Sequence, residues 1–425
     1  MHFTRYYAAI VFVLAVGSAA GQQTSAGAAA SGELSLEQVL SLALTRNPEL
    51  AAAEREILAR GGRAHQAAAL PNPQLAGISE NLGGDDVLTG GVQSTLQLEQ
   101  LVELGGDRSA RRAMAGAALE LARWDLAARG LDVVARATSA FGEVLAAQRH
   151  VELAEDTVRL AEEVRATVAA RVEAGKVSPI EETRAEVALA TERIERDRAV
   201  TELSSARSRL AAIWGDTTVG YERVAGELDA TREFPPLDEI LARLDRAPDL
   251  ARWDAEIAER EAILESERAR AIPDLTLSGG YREFELGTNA WVASASFALP
   301  LFDQNRGAKT EASERIARAR EERRAASVRI RQKVGEAHGS LVRSENEVRN
   351  LRDEVVPRAE SVYDAISEGY RLGKFGYMEV LDARRTLAAA RGQLLHAQAD
   401  LWHAAAELQR LTSTPTIETS NGERQ

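Results

Sequence analysis

The residues that could support catalysis or metal binding are few, and their spacing suits neither chemistry. His396 and His403 stand seven residues apart on a predicted helix and therefore share a face. A metal pair at these positions would lack a third ligand, so we interpret both as helix-surface or packing residues. His65, His150 and His338 are isolated in the sequence. No ligand spacing typical of zinc or iron occurs.

Two glycine-containing segments are weak candidates as well. Gly83–Asp86 contains carboxylates that could bind a cation, but a loop between two strands explains the segment better. Gly105-Gly106 lacks the Lys-Ser/Thr that a phosphate-binding loop needs. No motif combines a nucleophile with a base. The sequence therefore predicts no enzyme, no cofactor and no bound metal.

Composition narrows the class of protein further. The 425 residues carry a net charge of −13, which argues against nucleic acid as the main partner. The chain is rich in Ala, Glu and Arg and poor in aromatic residues, and this composition favours long helices. It contains no cysteine, which excludes disulfides, thiolate metal sites and a lipid-anchoring cysteine.

The N-terminal segment has the pattern of a secretory signal peptide. Arg5 is the basic residue, Ala8–Val16 is the apolar core, and small residues for cleavage follow around Ala20. We expect residues 1–21 to direct export, residues 22–33 to be a disordered lead-in and residues 412–425 to be a disordered tail. We expect no transmembrane helix, because no apolar stretch approaches the ~20 residues that one requires.

The stretch Gly369–Leu387 lies between two predicted helices and has an earlier counterpart in Val172–Leu189. Each stretch contains Gly-Lys, then four residues, then a Glu that opens an Ala- and Arg-rich helix. These two residues, Glu181 and Glu379, suit the positive end of a helix dipole, so helix initiation is one explanation of both. Two copies of one turn imply two copies of a helical hairpin.

The rest of the chain repeats in the same way. We predict a first repeat over residues 34–230 and a second over residues 231–411, each with the order helix, strand, strand, long helix, turn, helix. Ser35 and Gln38 form a capping box at the first helix. Heptad spacing gives the long helices coiled-coil character, and Pro357 should kink the second one or remove a hydrogen bond.

Each repeat contributes two strands in which apolar and polar residues alternate, as in Val92–Glu99. Strands of about ten residues are long enough to cross a membrane in a β-barrel. Four strands cannot close a barrel and open edges are not tolerated in lipid, so several chains would have to share one. The alternative is a pair of soluble β-hairpins on a periplasmic coiled-coil rod.

The sequence resembles the TolC family of outer-membrane efflux channels, and within it the outer-membrane components of heavy-metal efflux systems of the cobalt–zinc–cadmium resistance type. The resemblance covers residues 34–411 and is carried by four segments: Leu36–Leu50, Leu70–Leu75, Leu299–Gly307 and Gly369–Leu387. Many relatives have an N-terminal cysteine for a lipid anchor. Its absence here leads us to expect that the barrel alone holds the chain in the membrane.

The resemblance implies a mostly α protein with a β-barrel part. Three chains with four transmembrane strands each would form a homotrimer with a twelve-stranded barrel in outer-membrane lipid, and their helical hairpins would form a tunnel through the periplasm. The two turns would meet a periplasmic adaptor (membrane fusion) protein that leads to an inner-membrane pump. The expected adaptor-contacting residues are Gly175, Lys176, Val177, Ser178, Gly373, Lys374, Phe375 and Gly376.

The resemblance also implies a pore gate. In relatives, acidic residues just after the second turn ring the closed entrance, and the matching positions are Glu379 and Asp382. Such a ring attracts cations and repels anions. The expected function is a passive export duct for heavy-metal cations. The alternatives are a duct for organic compounds or polypeptides, and a periplasmic scaffold that does not span the membrane.

Overall fold

The computed structural model describes residues 32–82, 91–228, 235–285 and 287–413. They form two compact units. The sheet unit comprises residues 52–128 and 245–329, and the turn unit comprises the described parts of residues 1–51, 129–244 and 330–425. The predicted signal peptide, nearly all of the predicted lead-in, the loop Gly83–Asp86 and residues 414–425 lie outside the described residues.

The order helix, strand, strand, long helix, helix occurs twice. The first series is β1 (Glu33–Ser35), α1 (Leu36–Arg46), α2 (Pro48–Ala67), β2 (Gln74–Glu80), β3 (Gln93–Val102), α3 (Asp107–Glu173), α4 (Pro179–Ala212) and β4 (Arg223–Ala225). The second series is α5 (Leu237–Arg243), a 3₁₀ turn (Leu244–Arg246), α6 (Pro248–Ala269), β5 (Leu275–Phe284), β6 (Asn289–Phe297), α7 (Arg306–Asn350), a π-helical turn (Leu351–Val355), α8 (Val356–Arg371) and α9 (Tyr377–Thr412). This order confirms the predicted internal duplication. Within the described ranges, no helix is both long and apolar enough to cross a membrane.

Polar side chains cap the first two helices. Ser35 Oγ accepts a hydrogen bond from the Gln38 amide, and the Ser35 amide donates to the Gln38 side chain, so the predicted capping box is confirmed. The buried Asn47 precedes α2, and its Oδ1 accepts a hydrogen bond from the Glu49 amide. Its Nδ2 donates to the carbonyl of Ile213 at the end of α4. The first helices are thereby linked to α4.

A short parallel sheet, β1 paired with β4, has no counterpart among the predicted elements. Glu33 lies opposite Arg223 in it, so the prediction that disorder extends through residue 33 is wrong at that residue. Gln148 on α3 holds β4 in place. Its side chain accepts a hydrogen bond from the Val224 amide and donates one to the Val224 carbonyl. Three-residue strands are too short for alternation to reveal them.

The four longer strands form one antiparallel sheet in the order β2-β3-β5-β6. One of its faces is apolar. Gly77, Leu96, Tyr281 and Trp291 lie opposite one another across the four strands. The Tyr281 and Trp291 rings meet edge to face with centroids 5.7 Å apart, a favourable aromatic geometry. Trp291 is 86% exposed in the single chain.

The opposite face of the same sheet is polar. Arg282 donates hydrogen bonds to Thr95 and Gln93 on the neighbouring strand and forms an ion pair with Glu80. Strands that separate an apolar face from a polar one have the pattern of transmembrane barrel strands. The sheet ends at β2 and β6, so each of these strands has one backbone edge without a strand partner in the described chain.

The second long helical segment is continuous apart from the π-helical turn Leu351–Val355. This turn ends two residues before Pro357, which has no amide hydrogen to donate and whose ring crowds the preceding turn of helix. The prediction that Pro357 disturbs the helix is therefore confirmed.

The turn unit has a hydrophobic core near its two turns. We call Tyr363, Tyr370 and Tyr377, with the aliphatic residues around them, the tyrosine core; all three tyrosines are buried. Its aliphatic members include Val168, Ala185, Val380, Leu381 and Leu387. Because α3, α4, α8 and α9 all contribute, this core holds the ends of both helical hairpins together.

Candidate functional site at the paired turns

The first turn ends α3 at a glycine. Gly175 has a left-handed backbone with a φ of 69°, a conformation that suits glycine. Its amide donates a hydrogen bond to the carbonyl of Val172, and the amide of Lys176 donates to that of Arg171. These two bonds form a Schellman motif, which satisfies the last carbonyls of a helix.

The second turn has the same backbone. Gly373 has a φ of 75°, and its amide donates to the carbonyl of Tyr370. The amide of Lys374 donates to the carbonyl of Gly369, which completes a second Schellman motif with the same spacing. The Gly-Lys pairs that revealed the duplication are therefore the residues that end both helices.

The side chains of the first turn act locally. Ser178 caps α4, because its Oγ accepts a hydrogen bond from the Ile180 amide at 3.4 Å. Pro179 occupies the first helical position, where its missing amide hydrogen has no consequence. Lys176 is exposed and Val177 is half-buried.

The side chains of the second turn fold back onto the helices. A Cβ atom on Gly369 would lie 2.3 Å from Cδ2 of Phe375, so the ring of Phe375 needs a glycine at this position. Gly376 precedes α9 without a side-chain cap. A Cβ atom on Gly376 would lie 2.8 Å from Oε2 of Glu379, so this carboxylate lies next to the start of α9. This position favours the helix-initiation role of Glu379.

Arg171 connects the two turns. Its guanidinium donates a hydrogen bond to the carbonyl of Tyr370 at 3.1 Å and lies over the Tyr370 ring, 4.4 Å from the centroid. The first contact satisfies a carbonyl at the end of α8, and the second is a cation–π interaction. The ends of α3 and α8 are therefore joined by one side chain as well as by the tyrosine core.

The two predicted gate residues lie on the surface of α9. Glu379 and Asp382 are both exposed and three residues apart, so they share one face of the helix. Arg385, also exposed, follows Asp382 by another three residues. A ring made by several copies of this face would therefore contain one guanidinium for every two carboxylates.

A buried ion pair lies behind this acidic face. Arg384 on α9 pairs with Glu192 on α4 at 2.6 Å, and their side chains are only 6% and 21% exposed. The sequence gives no direct signal for it, because the two residues are far apart in the chain and charged residues are common in both helices. The pair joins the second hairpin to the first.

The structure changes the interpretation of the histidines. His150, which is isolated in the sequence, lies close to His396 in the structure, with the two ring centroids 6.5 Å apart. His403 forms a hydrogen bond through Nδ1 with Ser139 Oγ and does not join that pair. Within the described residues, no group of three or more His, Cys, Asp or Glu side chains could hold a metal ion.

The chain matches known sequences over most of its length. The family model described as outer membrane efflux protein matches residues 39–216 and 241–414. The cobalt-zinc-cadmium resistance protein CzcC of Cupriavidus metallidurans is 35% identical over 383 residues, which cover 90% of each chain. The nickel and cobalt resistance protein CnrC of the same organism is 30% identical over 302 residues, 70% of each chain. The predicted resemblance is confirmed.

The fold matches solved channel structures. The open state of the MtrE outer membrane channel of Neisseria gonorrhoeae aligns with a TM-score of 0.75 at 20% identity. The alignment covers 96% of this chain and 98% of that one. The predicted fold class, with helical hairpins and β-strands in two repeats, is therefore confirmed.

Proposed function

This chain belongs to the outer membrane efflux protein family, and we propose that it is the outer-membrane channel of a tripartite efflux system. It is a passive duct, without catalytic activity, through which an inner-membrane pump and a periplasmic adaptor export their cargo. The names of the relatives CzcC and CnrC favour heavy-metal cations as that cargo. Organic compounds and polypeptides are the alternative cargoes.

The observation that supports a membrane-spanning channel best is the sheet β2-β3-β5-β6. One face is apolar, the other is polar, and the sheet has two open edges. Open edges are not tolerated in hydrocarbon, so the sheet needs further copies to close it. Three copies give twelve strands, within the size range of membrane barrels. Export to this location relies on the signal peptide proposed for residues 1–21, and the barrel holds the protein in the lipid.

The duplication provides a template for the contact between copies. Within the chain, β3 of the first repeat pairs with β5 of the second. We propose that β6 pairs in the same way with β2 of the next copy, because β6 and β2 are the equivalents of β3 and β5. Gly106 and Asn305 align the two repeats after β3 and β6, since both have a positive φ and directly precede a long helix.

This template fixes the register between copies. Leu98 lies opposite Gly279 within the chain. Pro73 and Pro273 align the strands β2 and β5 that follow them, so the equivalent of Gly279 is Ser79, and the equivalent of Leu98 is Phe297. Phe297 on β6 and Ser79 on β2 should therefore face each other across the contact between copies. Both lie on the apolar face, as the pleat of a continuous sheet requires.

Cysteine cross-linking tests the register, because the chain has no cysteine of its own. Phe297→Cys with Ser79→Cys should form a disulfide between copies and give covalent oligomers without reductant. The control, Ala295→Cys with Ser79→Cys, shifts the pair by two residues on the same face and should form far less, since diagonal Cα atoms are about 7–8 Å apart. Equal yields from both pairs would exclude this register.

We propose that the exposed parts of both turns contact the adaptor: Gly175, Lys176, Val177, Ser178, Gly373, Lys374, Phe375 and Gly376. All of these residues except the half-buried Val177 are exposed in the single chain, which supports the proposal, and Lys176 and Lys374 give each turn the same positive charge. Lys176→Glu with Lys374→Glu should weaken co-purification of a periplasmic adaptor that is expressed together with this chain. The matched control is Lys333→Glu, an exposed lysine on α7.

We propose further that Glu379 and Asp382 form the pore gate. Purified oligomers of the whole chain in planar bilayers should conduct ions and be blocked by divalent cations. Asp382→Asn should raise conductance or reduce that block, because it removes a charge from each copy. Asp400→Asn, an exposed aspartate further along α9, is the matched control. If Asp382→Asn behaves like the control, the proposed gate residues are wrong but the proposed channel function is retained. If the unaltered protein does not conduct ions, the periplasmic scaffold is favoured instead.

A further inference from the structure

The pair His150 and His396 brings together two imidazoles from different helices. His150 lies on α3 and His396 on α9, and their ring centroids are 6.5 Å apart with the ring planes inclined at 55°. Both side chains are exposed in the single chain. Neither residue has a role in the turns, the acidic face or the sheet, so the mechanism proposed above leaves them unexplained.

The helices that carry this pair are packed firmly against each other. The rings of Phe141 and Trp402 lie 5.8 Å apart between them, and a Cβ atom on Gly142 would come within 2.8 Å of the Trp402 side chain. Asp132 and Arg410 form an ion pair of 2.6 Å across the same two helices. The imidazoles therefore project from a fixed scaffold, which lowers the cost of ordering two ligands around an ion.

We propose that His150 and His396 bind one divalent transition-metal cation of the zinc, cobalt or nickel type. Imidazole suits these ions, and each zinc–nitrogen bond is about 2.0–2.1 Å long. With about 1.1 Å from nitrogen to ring centre added to each bond, two imidazoles on one tetrahedral ion have centroids about 5 Å apart. The observed separation of 6.5 Å is longer, so the two exposed side chains have to rotate toward each other to share an ion.

The site has two protein ligands, and water completes the coordination. No third His, Cys, Asp or Glu joins the pair within the described residues, so bound cations should exchange quickly. The nearest charged residue in sequence, Arg149, is paired with Glu152 at 2.8 Å, which partly offsets its repulsion of a cation. Such a site suits transient contact with a metal cation and does not depend on the chain being a channel.

Titration of the purified whole chain with Zn²⁺ tests the proposal. The protein carries no polyhistidine tag, is first treated with chelator, and is studied by isothermal titration calorimetry. We expect one site per chain, with affinity weakened at least tenfold by either His150→Gln or His396→Gln. His403→Gln and His338→Gln are matched controls, because these side chains lie outside the pair, and they should leave the affinity unchanged.

The spectrum of bound Cu²⁺ gives an independent measurement. Electron paramagnetic resonance should show two coordinating imidazole nitrogens in the unaltered protein and one in His396→Gln. Circular dichroism establishes that each variant has retained its helices. If one of the two single variants misfolds, the other still tests whether its histidine binds the cation. Equal Zn²⁺ affinity in His396→Gln and His403→Gln, or one imidazole in the unaltered protein, would overturn the proposal.

Discussion

The two turns at the ends of the helical hairpins share one backbone and differ in nearly every side-chain contact. Gly175 and Gly373 end their helices through the same pair of hydrogen bonds. After that point the first turn uses a local cap, Ser178, whereas the second folds Phe375 back onto Gly369. The duplicated part is thus the part that ends the helix, and the surrounding contacts have diverged.

This difference separates local from long-range stabilisation. The hydrogen bonds within the first turn join residues a few positions apart, and Arg171 on α3 supplies its contact with the second hairpin. The second turn lies against the tyrosine core, to which Tyr370 and Tyr377 belong. Substitutions that disconnect the second hairpin from the first should therefore destabilise the turn unit more than substitutions within either turn.

The largest effect should come from the buried ion pair between the hairpins. Glu192→Ala leaves Arg384 buried without its partner, and we expect a loss of about 3 kcal/mol in unfolding free energy. The control is Glu162→Ala, which removes an exposed pair with Arg193 within the first hairpin and should cost below ~1 kcal/mol. Thermal unfolding of the purified protein, followed by circular dichroism, compares them. Similar melting temperatures would show that the two hairpins are not coupled through Arg384.

A smaller loss should follow removal of the guanidinium that joins the turns. Arg171→Met keeps an unbranched side chain but loses the hydrogen bond to the Tyr370 carbonyl and the cation–π contact. We expect these two losses together to lower the unfolding free energy by about 1–2 kcal/mol. Arg371→Met is the control, since that arginine is exposed and its contact with Glu368 is a surface pair of 3.7 Å. The same unfolding experiment applies, and a loss as small as that of the control would mean that Arg171 contributes little.

The features that could be predicted from the sequence are those with a local signal. The capping box at Ser35, the Gly-Lys turns and the strand alternation each occupy fewer than about ten consecutive residues, and the family resemblance extended them to the whole fold. The pairs Arg384–Glu192 and His150–His396 could not be predicted. They depend on which helix faces meet, and heptad patterns do not specify the partner of a helix.

The shared backbone predicts equal effects at the two glycines. A Cβ atom at Gly175 or Gly373 would meet nothing within 4 Å. Alanine at either position should therefore lower the unfolding free energy only through the strain of a left-handed backbone, about 1–2 kcal/mol. Gly175→Asn and Gly373→Asn should cost less, because asparagine adopts this conformation more readily. Melting temperatures of the four variants provide the test. A much larger loss at one glycine would show that its turn carries strain that the other lacks.

The smallest effect should arise where the first turn has a cap and the second has none. Ser178→Ala removes the acceptor for the Ile180 amide and should cost about 0.5 kcal/mol, the low end for an N-cap because the bond is long and solvent can replace it. The converse change, Gly376→Ser, introduces a cap but places its Cβ against the Glu379 carboxylate, which must then move. If Glu379 contributes to the start of α9, the new cap and the displaced carboxylate should nearly cancel. A clear rise in melting temperature for Gly376→Ser would show instead that Glu379 adds little to the stability of that helix end. Helix initiation would then not explain this carboxylate, and the proposed role in the pore gate would be favoured.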